Sequence, residues 1–294
     1  MRSLTRGGGM MDQLTNTAPA PNIGLAGVNV ALMGPTGTGK THSIGTLVET
    51  GLEVFYIGME AGLESLIGYF ADNNKPIPSN LHWKVVEGPS VDFSALQDMA
   101  NKVNTLSYEA LCKVVDPNKS KYQQTTNLFK TLNKFVDERT GQDFGAVSTW
   151  GNDKALVIDG MTGICQSYAF NAIGGKPVMS PSEYQVAQKG VFQLIFKLTN
   201  HCRCHFILLS HVVREADQLT GSSKLMMMTI GNALTPMIPL WFSDVILTVR
   251  EGARFSWDTA NALADLKTRN LPIQAGLQPD FKQIIDKWRK RNTL

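Results

Sequence analysis

Residues 34–41, Gly-Pro-Thr-Gly-Thr-Gly-Lys-Thr, constrain the fold of this chain more than any other feature. They contain the complete Gly-x4-Gly-Lys-[Ser/Thr] pattern of a phosphate-binding loop. An apolar run at residues 28–33 precedes the loop, and a helical pattern at residues 41–48 follows it. A strand, a glycine-rich loop and a helix in this order direct backbone N–H groups and a helix N-terminus toward an anion. The sequence therefore predicts a nucleotide site built on an α/β fold.

The glycines, Lys40 and Thr41 of the loop each have an expected part in that site. The glycines let backbone N–H groups wrap around phosphate oxygens, Lys40 reaches the β- and γ-phosphates, and the Thr41 hydroxyl ligates Mg²⁺. A nucleoside triphosphate and Mg²⁺ are thus the predicted cofactors. The predicted phosphate-binding residues are Gly34, Pro35, Thr36, Gly37, Thr38, Gly39, Lys40 and Thr41.

The composition is typical of a folded globular protein. The 294 residues, 43% hydrophobic and 18% charged, suffice for one large or two small α/β domains. A net charge of +3 is too small to indicate nucleic-acid binding by itself. No apolar run reaches the roughly 18 residues of a membrane span, and residues 1–9 lack the apolar core of a secretory signal. Four cysteines form no disulfide framework in a chain this long, so we expect a reduced, cytoplasmic protein without a membrane partner.

Short apolar runs alternate with helical patterns along the chain. Their near-continuous apolar character predicts a mainly parallel sheet that helices cover on both faces. The predicted strands are residues 28–33, 53–58, 155–158 and 205–210, with an edge strand at 81–86. The predicted helices lie near residues 61–70, 91–105, 120–137, 161–172 and 184–200.

The remaining segments suggest how the chain is divided. Runs at residues 243–250, 254–257 and 262–267 predict an antiparallel strand extension at the edge of the sheet. We therefore expect one core domain with a flexible arm before it and a basic tail after it. The expected boundaries are residues 1–24 for the arm, 25–272 for the core with a helical insertion at about 104–152, and 273–294 for the C-terminal helix or tail.

Two acidic residues follow predicted strands. Asp159 ends the apolar run 155–158, and Glu60 follows the run 53–58, so both should emerge at the carboxyl edge of the sheet. We expect Asp159 to reach the water shell of Mg²⁺, although it could instead cap the helix from residue 161. We expect Glu60 to orient and polarise an attacking water, although it could merely begin the next helix.

Two further groups of polar residues follow strands. Ser210 and His211 end the fourth strand, where His211 could contact the γ-phosphate and report its loss, or could be a neutral histidine bonded to backbone. Lys267 and Arg269 share one face of the last predicted strand. They could reach the γ-phosphate of a neighbouring subunit as a trans-acting finger, or form a solvated edge.

Residues 201–205, His-Cys-Arg-Cys-His, invite a metal interpretation. Zinc sites usually combine a Cys-x2–4-Cys pair with a distant second pair of ligands. Here all four candidate ligands lie within five residues that lead into a strand, and strand alternation sends their side chains to both faces. We therefore expect a structural role.

Taken in order, these motifs resemble the RecA-like ATPase core. The phosphate loop, the strand-end Glu60, the strand-end Asp159 and the polar pair at 210–211 match its hallmarks along residues 25–272. The Lys267-x-Arg269 pair resembles the trans finger of DnaB-type and KaiC-type ring ATPases. Residues 139–145, 153–162 and 209–215 more narrowly resemble phage-encoded RecA-like ATPases of the Sak-type single-strand annealing group.

The resemblance implies hydrolysis of ATP by a homo-oligomer, either ring or filament, that acts on single-stranded DNA during recombination in the bacterial host cytoplasm. A phage recombination or single-strand-binding protein is an implied partner. Loops at about 171–184 and 213–236 would face DNA, and the candidate contacts are Lys176, Arg214, Lys224 and Met227.

Two other functions remain open on the sequence. The methionine run 226–228 could equally form a protein–protein surface, which suits a motor or regulatory ring ATPase acting on a protein partner. A nucleotide-gated binding module with little catalysis is the second alternative.

Overall fold

A computed structural model describes residues 24–88, 93–113, 123–174, 176, 178–216, 223–231 and 233–293. The expected N-terminal arm, apart from Gly24, lies outside the described residues. The strands are β1 Asn29–Met33, β2 Glu53–Gly58, β3 Leu81–Val85, β4 Lys154–Asp159, β5 His205–Ser210, β6 Val212–Ala216, β7 Ser223–Met227, β8 Asp244–Glu251 and β9 Arg254–Asp258. The α-helices are α1 Lys40–Val48, α2 Leu63–Asp72, α3 Phe93–Thr105, α4 Tyr108–Lys113, α5 Gln124–Asn133, α6 Met161–Ile173, α7 Pro181–Asn200 and α8 Lys282–Asn292.

The main sheet has seven strands in the order β3-β2-β4-β5-β1-β8-β9. Every neighbouring pair is parallel except β8 and β9, which form an antiparallel hairpin at the edge. The strands β6 and β7 form a separate two-stranded hairpin. The predicted architecture is confirmed: an α/β fold with a mainly parallel sheet, helices on both faces and an antiparallel C-terminal strand extension.

Helices cover both faces of the sheet, which explains why the strands are almost wholly apolar. In β1, Ala31 and Met33 pack in the core beneath α5, α6 and α7. The alternating Val30 and Leu32 pack on the other face, in the core that α1, α2 and α8 cover. Because the side chains on both faces of β1 are buried, its sequence lacks the alternation of apolar and polar residues that is typical of a strand with one face in water.

Two expected segments have a different structure. Residues 262–267 do not form a strand and make only isolated bridges, Leu225 with Ala264 and Val245 with Lys267. The reason is that β9 already occupies the edge of β8 along residues 247–251. Residues 213–236 are not one loop either, because they include most of the β6–β7 hairpin.

The loop expected at 171–184 is shorter in the structure. Helix α6 continues to Ile173, and α7 begins at Pro181. Ser180 caps α7 in a capping box with Glu183, and a proline at the first helical position is preorganised for that conformation. With these start signals, α7 begins at Pro181, three residues before the start at residue 184 that the apolar periodicity predicted.

The histidine and cysteine cluster at 201–205 places three of its residues, Cys202, Cys204 and His205, in the core at the amino edge of the sheet, whereas His201 is exposed. Cys202 and Cys204 are buried. His205 is fully buried, its Nδ1 accepts a hydrogen bond from Val28 N at 3.0 Å, and its Nε2 lies 3.1 Å from Asn152 O. This arrangement holds the neutral imidazole, and burial lowers the pKa of His205 to about 4.

The lowered pKa of His205 predicts a loss of stability in acid. Between about pH 6.5 and pH 4 the unfolded histidine binds a proton that the folded one does not, so the free energy of unfolding falls as pH falls through this window. The expected loss is up to about 3 kcal/mol, from 1.36 kcal/mol per pKa unit. Urea denaturation from pH 7 to pH 4 measures it. His205→Gln should flatten the slope, whereas the exposed control His201→Gln should keep it; equal slopes would contradict the assignment.

Candidate nucleotide site

The phosphate loop joins β1 to α1 and is held against β8. Gly37 and Gly39 have φ of 75° and 83°, a left-handed conformation that glycine adopts without strain. The Thr38 hydroxyl lies 2.7 Å from the Thr248 hydroxyl. An added Cβ on Gly34 would lie 2.1 Å from Thr248 Oγ1, so the loop packs directly on this strand. The sequence reasoning missed Thr248, whose only signal was a hydroxyl side chain among the apolar residues 245–249.

Lys40, the first residue of α1, lies inside the loop. Its Nζ donates hydrogen bonds to Gly34 O at 2.8 Å and to Pro35 O at 2.9 Å. Burial lowers the pKa of Lys40, while the nearby carboxylates of Asp159 and Glu60 oppose that shift. Two carbonyls of the loop therefore hold the ammonium group within the loop.

Asp159 ends β4 and meets the loop at Thr41. Its Oδ2 accepts a hydrogen bond from Thr41 Oγ1 at 2.7 Å and another from the Tyr56 hydroxyl at 2.8 Å. Burial raises the pKa of Asp159, and these two hydroxyl donors act in the opposite direction. Helix α6 begins at Met161 without a side-chain cap, so Asp159 turns toward the loop instead of capping the helix.

Two residues beside Asp159 escaped the sequence reasoning. Tyr56 is buried in β2, and burial together with the Asp159 carboxylate raises its pKa, so that it remains a hydroxyl donor. Gly62 leaves room for the carboxylate, since an added Cβ would lie 2.3 Å from Asp159 Oδ2. A hydroxyl within an apolar strand was the available signal for Tyr56; no sequence pattern marked Gly62.

The pair of Thr41 and Asp159 fits Mg²⁺. This cation prefers oxygen ligands and is usually held by one or two carboxylates together with substrate phosphates and water. A hydroxyl and a carboxylate that already touch at 2.7 Å provide such a donor set next to the phosphate loop. Among the described residues, no group of three or more His, Cys, Asp or Glu side chains could hold a metal ion.

Glu60 follows β2 and points toward α6 and β5. Its Oε1 accepts a hydrogen bond from Gly163 N at 2.8 Å, and its Oε2 lies 3.4 Å from His211 Nε2. Gly163 permits this approach, because an added Cβ would lie 3.2 Å from Glu60 Cγ and 2.8 Å from Met59 Cβ. Glu60 does not belong to α2, whose N-cap residue is Gly62.

The end of β5 connects this pair to the loop. Ser210 is buried, its carbonyl accepts a hydrogen bond from Gly34 N at 3.1 Å, and its hydroxyl donates to His211 O at 2.8 Å. His211 is therefore next to both the phosphate loop and Glu60. Thus Lys40, Thr41, Glu60, Asp159 and His211 all meet at the carboxyl edge of the sheet.

Lys267 and Arg269 lie at the amino edge of the sheet, where the parallel strands begin, and not at the carboxyl edge that carries the phosphate loop. Lys267 pairs with Val245 at the start of β8, and its Nζ donates to Leu240 O at 3.1 Å. The backbone N of Arg269 donates to Asp244 Oδ1 at 2.9 Å. Val245 precedes Thr248 by three residues, which is about 10 Å along a strand. The two cations therefore do not reach the phosphate loop of their own chain.

The candidate DNA contacts are separated in the structure. Lys176 is paired with Glu183 at 2.7 Å at the start of α7. Arg214 and Lys224 are exposed on the β6–β7 hairpin. Met227 is fully buried in the core, so its side chain is not available to DNA; the exposed methionine of the run is Met228.

A cavity of about 440 Å³ separates the hairpin from the loop. One wall is formed by Pro35 and Thr36 of the loop together with His211. The opposite wall is formed by four residues of the hairpin and its end, which are named below. A group bound at the outer side of the loop would therefore contact the base of the hairpin as well. The hairpin and adjoining residues are Val212, Arg214, Leu225 and Met228.

No protein-family model and no curated protein matches the sequence. Solved structures with a similar arrangement include the flagellar accessory protein FlaH from Methanocaldococcus jannaschii, at 11% identity over 79% of this chain and 76% of that one, with a TM-score of 0.33. The ATPase EscN of the enteropathogenic E. coli type III secretion system, solved with its central stalk EscO, has 13% identity over 92% of this chain and 59% of its own, with a TM-score of 0.42. The ATP synthase subunit NeqB from Nanoarcheaum equitans has 12% identity over 76% of this chain and 46% of its own, with a TM-score of 0.37. Likenesses this distant assign no activity, substrate or partner to the chain.

Within the ranges that the structure describes, no helix combines the length and the apolar character needed to cross a membrane.

The close approach of Gly62 to Asp159 predicts a specific defect. Gly62→Ala places a methyl group against Asp159 Oδ2 and should displace this carboxylate, although φ of −123° accepts alanine. We expect the Mg²⁺-dependent part of ATP affinity to fall about tenfold or more, one lost charge-assisted contact being worth about 1.5–3 kcal/mol. Calorimetric titration with ATP, with and without Mg²⁺, measures it. Gly68→Ala in α2, where an added Cβ meets nothing within 4 Å, is the control and should bind as the wild type does. A Gly62→Ala protein with unchanged Mg²⁺ dependence would show that Asp159 does not act on the metal.

Proposed function

We propose that the chain is a Mg²⁺-dependent ATPase that works as a homo-oligomer on single-stranded DNA. The observation that carries the proposal is the contact of Thr41 with Asp159 at the phosphate loop, with Glu60 and His211 beside it. A phosphate-binding loop alone would support binding of a nucleotide. Carboxylates from two neighbouring strands at the same loop add the groups that hydrolysis requires.

Each residue has a distinct part in this reaction. The loop N–H groups and Lys40 bind the phosphates, and Thr41 and Asp159 would hold Mg²⁺, which neutralises charge on the β- and γ-phosphate oxygens when bound. Glu60 accepts a hydrogen bond from Gly163 N through one carboxylate oxygen. Its other oxygen faces His211, which lines the cavity between the phosphate loop and the β6–β7 hairpin. That second oxygen is the one we assign to orienting and polarising the attacking water.

The site is completed by a neighbouring subunit in this proposal. Lys267 and Arg269 lie at the amino edge of the sheet, away from their own phosphate loop. The Arg269 side chain is exposed, and no ion pair joins it to another described residue. A cation that is exposed and remote from its own site can reach the γ-phosphate bound by an adjacent copy, where it would stabilise transition-state charge.

The β6–β7 hairpin is the proposed link to DNA. It begins directly after His211, and its exposed cations Arg214 and Lys224 suit contact with a phosphate backbone. Exposed Met228 is available for an apolar contact between bases. Loss of the γ-phosphate would change the contact of Glu60 with His211 and thereby the base of the hairpin. Single-stranded DNA in phage recombination is the substrate that the sequence resemblance favours.

A protein partner on the same hairpin is the second candidate. Three apolar side chains around the hairpin are exposed: Val213, Met228 and Leu263, the last next to Leu225 through a backbone hydrogen bond of 2.7 Å. Such a group suits an adaptable protein contact. In this case a motor or regulatory ring ATPase would transmit hydrolysis to a protein through the same His211 connection.

Replacing Glu60 separates hydrolysis from binding. Glu60→Gln preserves the shape of the side chain and removes its charge, so we expect the ATPase rate to fall about 100-fold or more while ATP affinity changes little. Single-turnover hydrolysis and equilibrium binding of ATP measure the two effects. Lys40→Ala should instead abolish binding. If Glu60→Gln hydrolyses ATP at the wild-type rate, Glu60 is not the base, and negligible wild-type turnover would favour the nucleotide-gated module.

The shared site and the DNA requirement can be tested together. We expect single-stranded DNA at low salt to raise the ATPase rate, and Arg269→Ala to lower the stimulated rate by 10³-fold or more, on the scale of about 10³–10⁵ for such cations. Mixing Arg269→Ala with Lys40→Ala protein should restore activity, because each supplies the half-site that the other lacks. Turnover indifferent to DNA, with no DNA binding at low salt, would exclude the DNA function. Lack of rescue in the mixture would exclude the shared site.

A further inference from the structure

Phe255 is an aromatic side chain beside the phosphate loop that the proposed reaction does not use. It lies on β9 and is 42% exposed. A Cβ added to Gly39 would lie 3.1 Å from Phe255 Cδ1, so the ring borders the loop at its C-terminal glycine. The ring is therefore within reach of a ligand held by the loop.

Arg250 adds a second flat group at this place. It is the cross-strand partner of Phe255, and its guanidinium carbon lies 5.3 Å from the ring centroid. Its Nε donates to Gly252 O at 2.9 Å, which holds the guanidinium over the hairpin. Its Nη1 lies 3.8 Å from the position of an added Cβ on Gly37. Arg250 and Phe255 thus form a cation–π pair that follows the loop from Gly37 to Gly39.

The order of strands indicates which part of a nucleotide would reach this pair. The strands that carry Glu60, Asp159 and His211 all lie on one side of β1, whereas β8 and β9 lie on the other. A nucleotide that points its γ-phosphate toward Glu60 must extend its ribose and base the opposite way, across Gly37 and Gly39. The base then arrives at the side of the loop where Phe255 and Arg250 lie.

We propose that Phe255 and Arg250 form the platform on which the nucleobase stacks, which deepens the proposed function and depends on its nucleotide site. An aromatic ring offers a π-face to any base, and a guanidinium stacks on aromatic planes while contributing positive charge. Stacking recognises the face of a base and not its hydrogen-bonding edge. The platform therefore supplies affinity for nucleotides over bare phosphate chains, and it serves ATP and GTP alike.

The experiment compares ligands with and without a base. Phe255→Ala should weaken binding of ATP and of GTP about 5- to 100-fold, the range expected for loss of one stacked aromatic. Binding of inorganic tripolyphosphate should stay the same, and Phe255→Trp should bind ATP at least as well as the wild type. Calorimetric titration of the full chain with Mg²⁺ present measures all three. Phe129→Ala, at an aromatic residue of similar exposure on α5, is the control and should change nothing.

Two results would overturn the platform. Equal weakening of ATP and tripolyphosphate by Phe255→Ala would show that the ring only supports the loop. Unchanged ATP binding would show that the base lies elsewhere. These measurements need neither DNA nor turnover, so absence of DNA-stimulated hydrolysis would count against the proposed function alone, and failure of the platform would leave that function standing.

Discussion

The position of β1 between β5 and β8 is the constraint on which the rest of the structure depends. Parallel pairing on both sides brings the ends of three strands to the loop that follows β1. On one side Ser210 O accepts the hydrogen bond from Gly34 N, and on the other the Thr248 hydroxyl meets Thr38. The loop is thus fixed from both flanks, and its two sides acquire different chemistry. One side faces carboxylates and a histidine, and the other faces an arginine and a phenylalanine.

The charged side chains of the site have hydrogen-bond partners within the described residues. The Lys40 ammonium is bound by two loop carbonyls, the Asp159 carboxylate by two hydroxyls, and Glu60 by an amide of α6. Each buried charge therefore has partners, which limits the cost of burial. A phosphate or a cation must compete with these internal bonds, but the side chains that receive it are already ordered. The loss of conformational entropy on binding is correspondingly small.

Much of this arrangement was predictable from the sequence, because its signals are local. A glycine pattern defines the loop, and an apolar run that stops at an acid defines both Glu60 and Asp159. What the sequence did not reveal depends on contacts between distant segments. Tyr56 and Gly62 lie beside Asp159 because β2 pairs with β4. The hydroxyl of Tyr56 is visible in the sequence of its strand, but its partner on β4 is not, and no local pattern marks Gly62.

The errors in the sequence reasoning have a related origin. The strand expected at 262–267 failed because β9 occupies the place that it would have needed, which is a competition invisible in a single apolar run. The burial of Met227 follows from alternation along β7, which the expected loop did not include. Helix caps, by contrast, are local, and the Ser180–Glu183 capping box could have placed the start of α7 correctly.

Lys267 and Arg269 lie at the amino edge of the sheet and the phosphate loop lies at the carboxyl edge, so the two halves of the proposed shared site are on different surfaces of one copy. A contact that joins the amino edge of one copy to the carboxyl edge of the next uses two different surfaces, so it cannot be satisfied by a two-fold dimer. In the proposed shared site, each such contact would complete one site and would leave one unused surface at either end. In an open assembly the end copy always has a loop without a partner, so the fraction of completed sites grows with assembly length. Only closure into a ring completes every site, and protein concentration would then affect the rate through assembly alone.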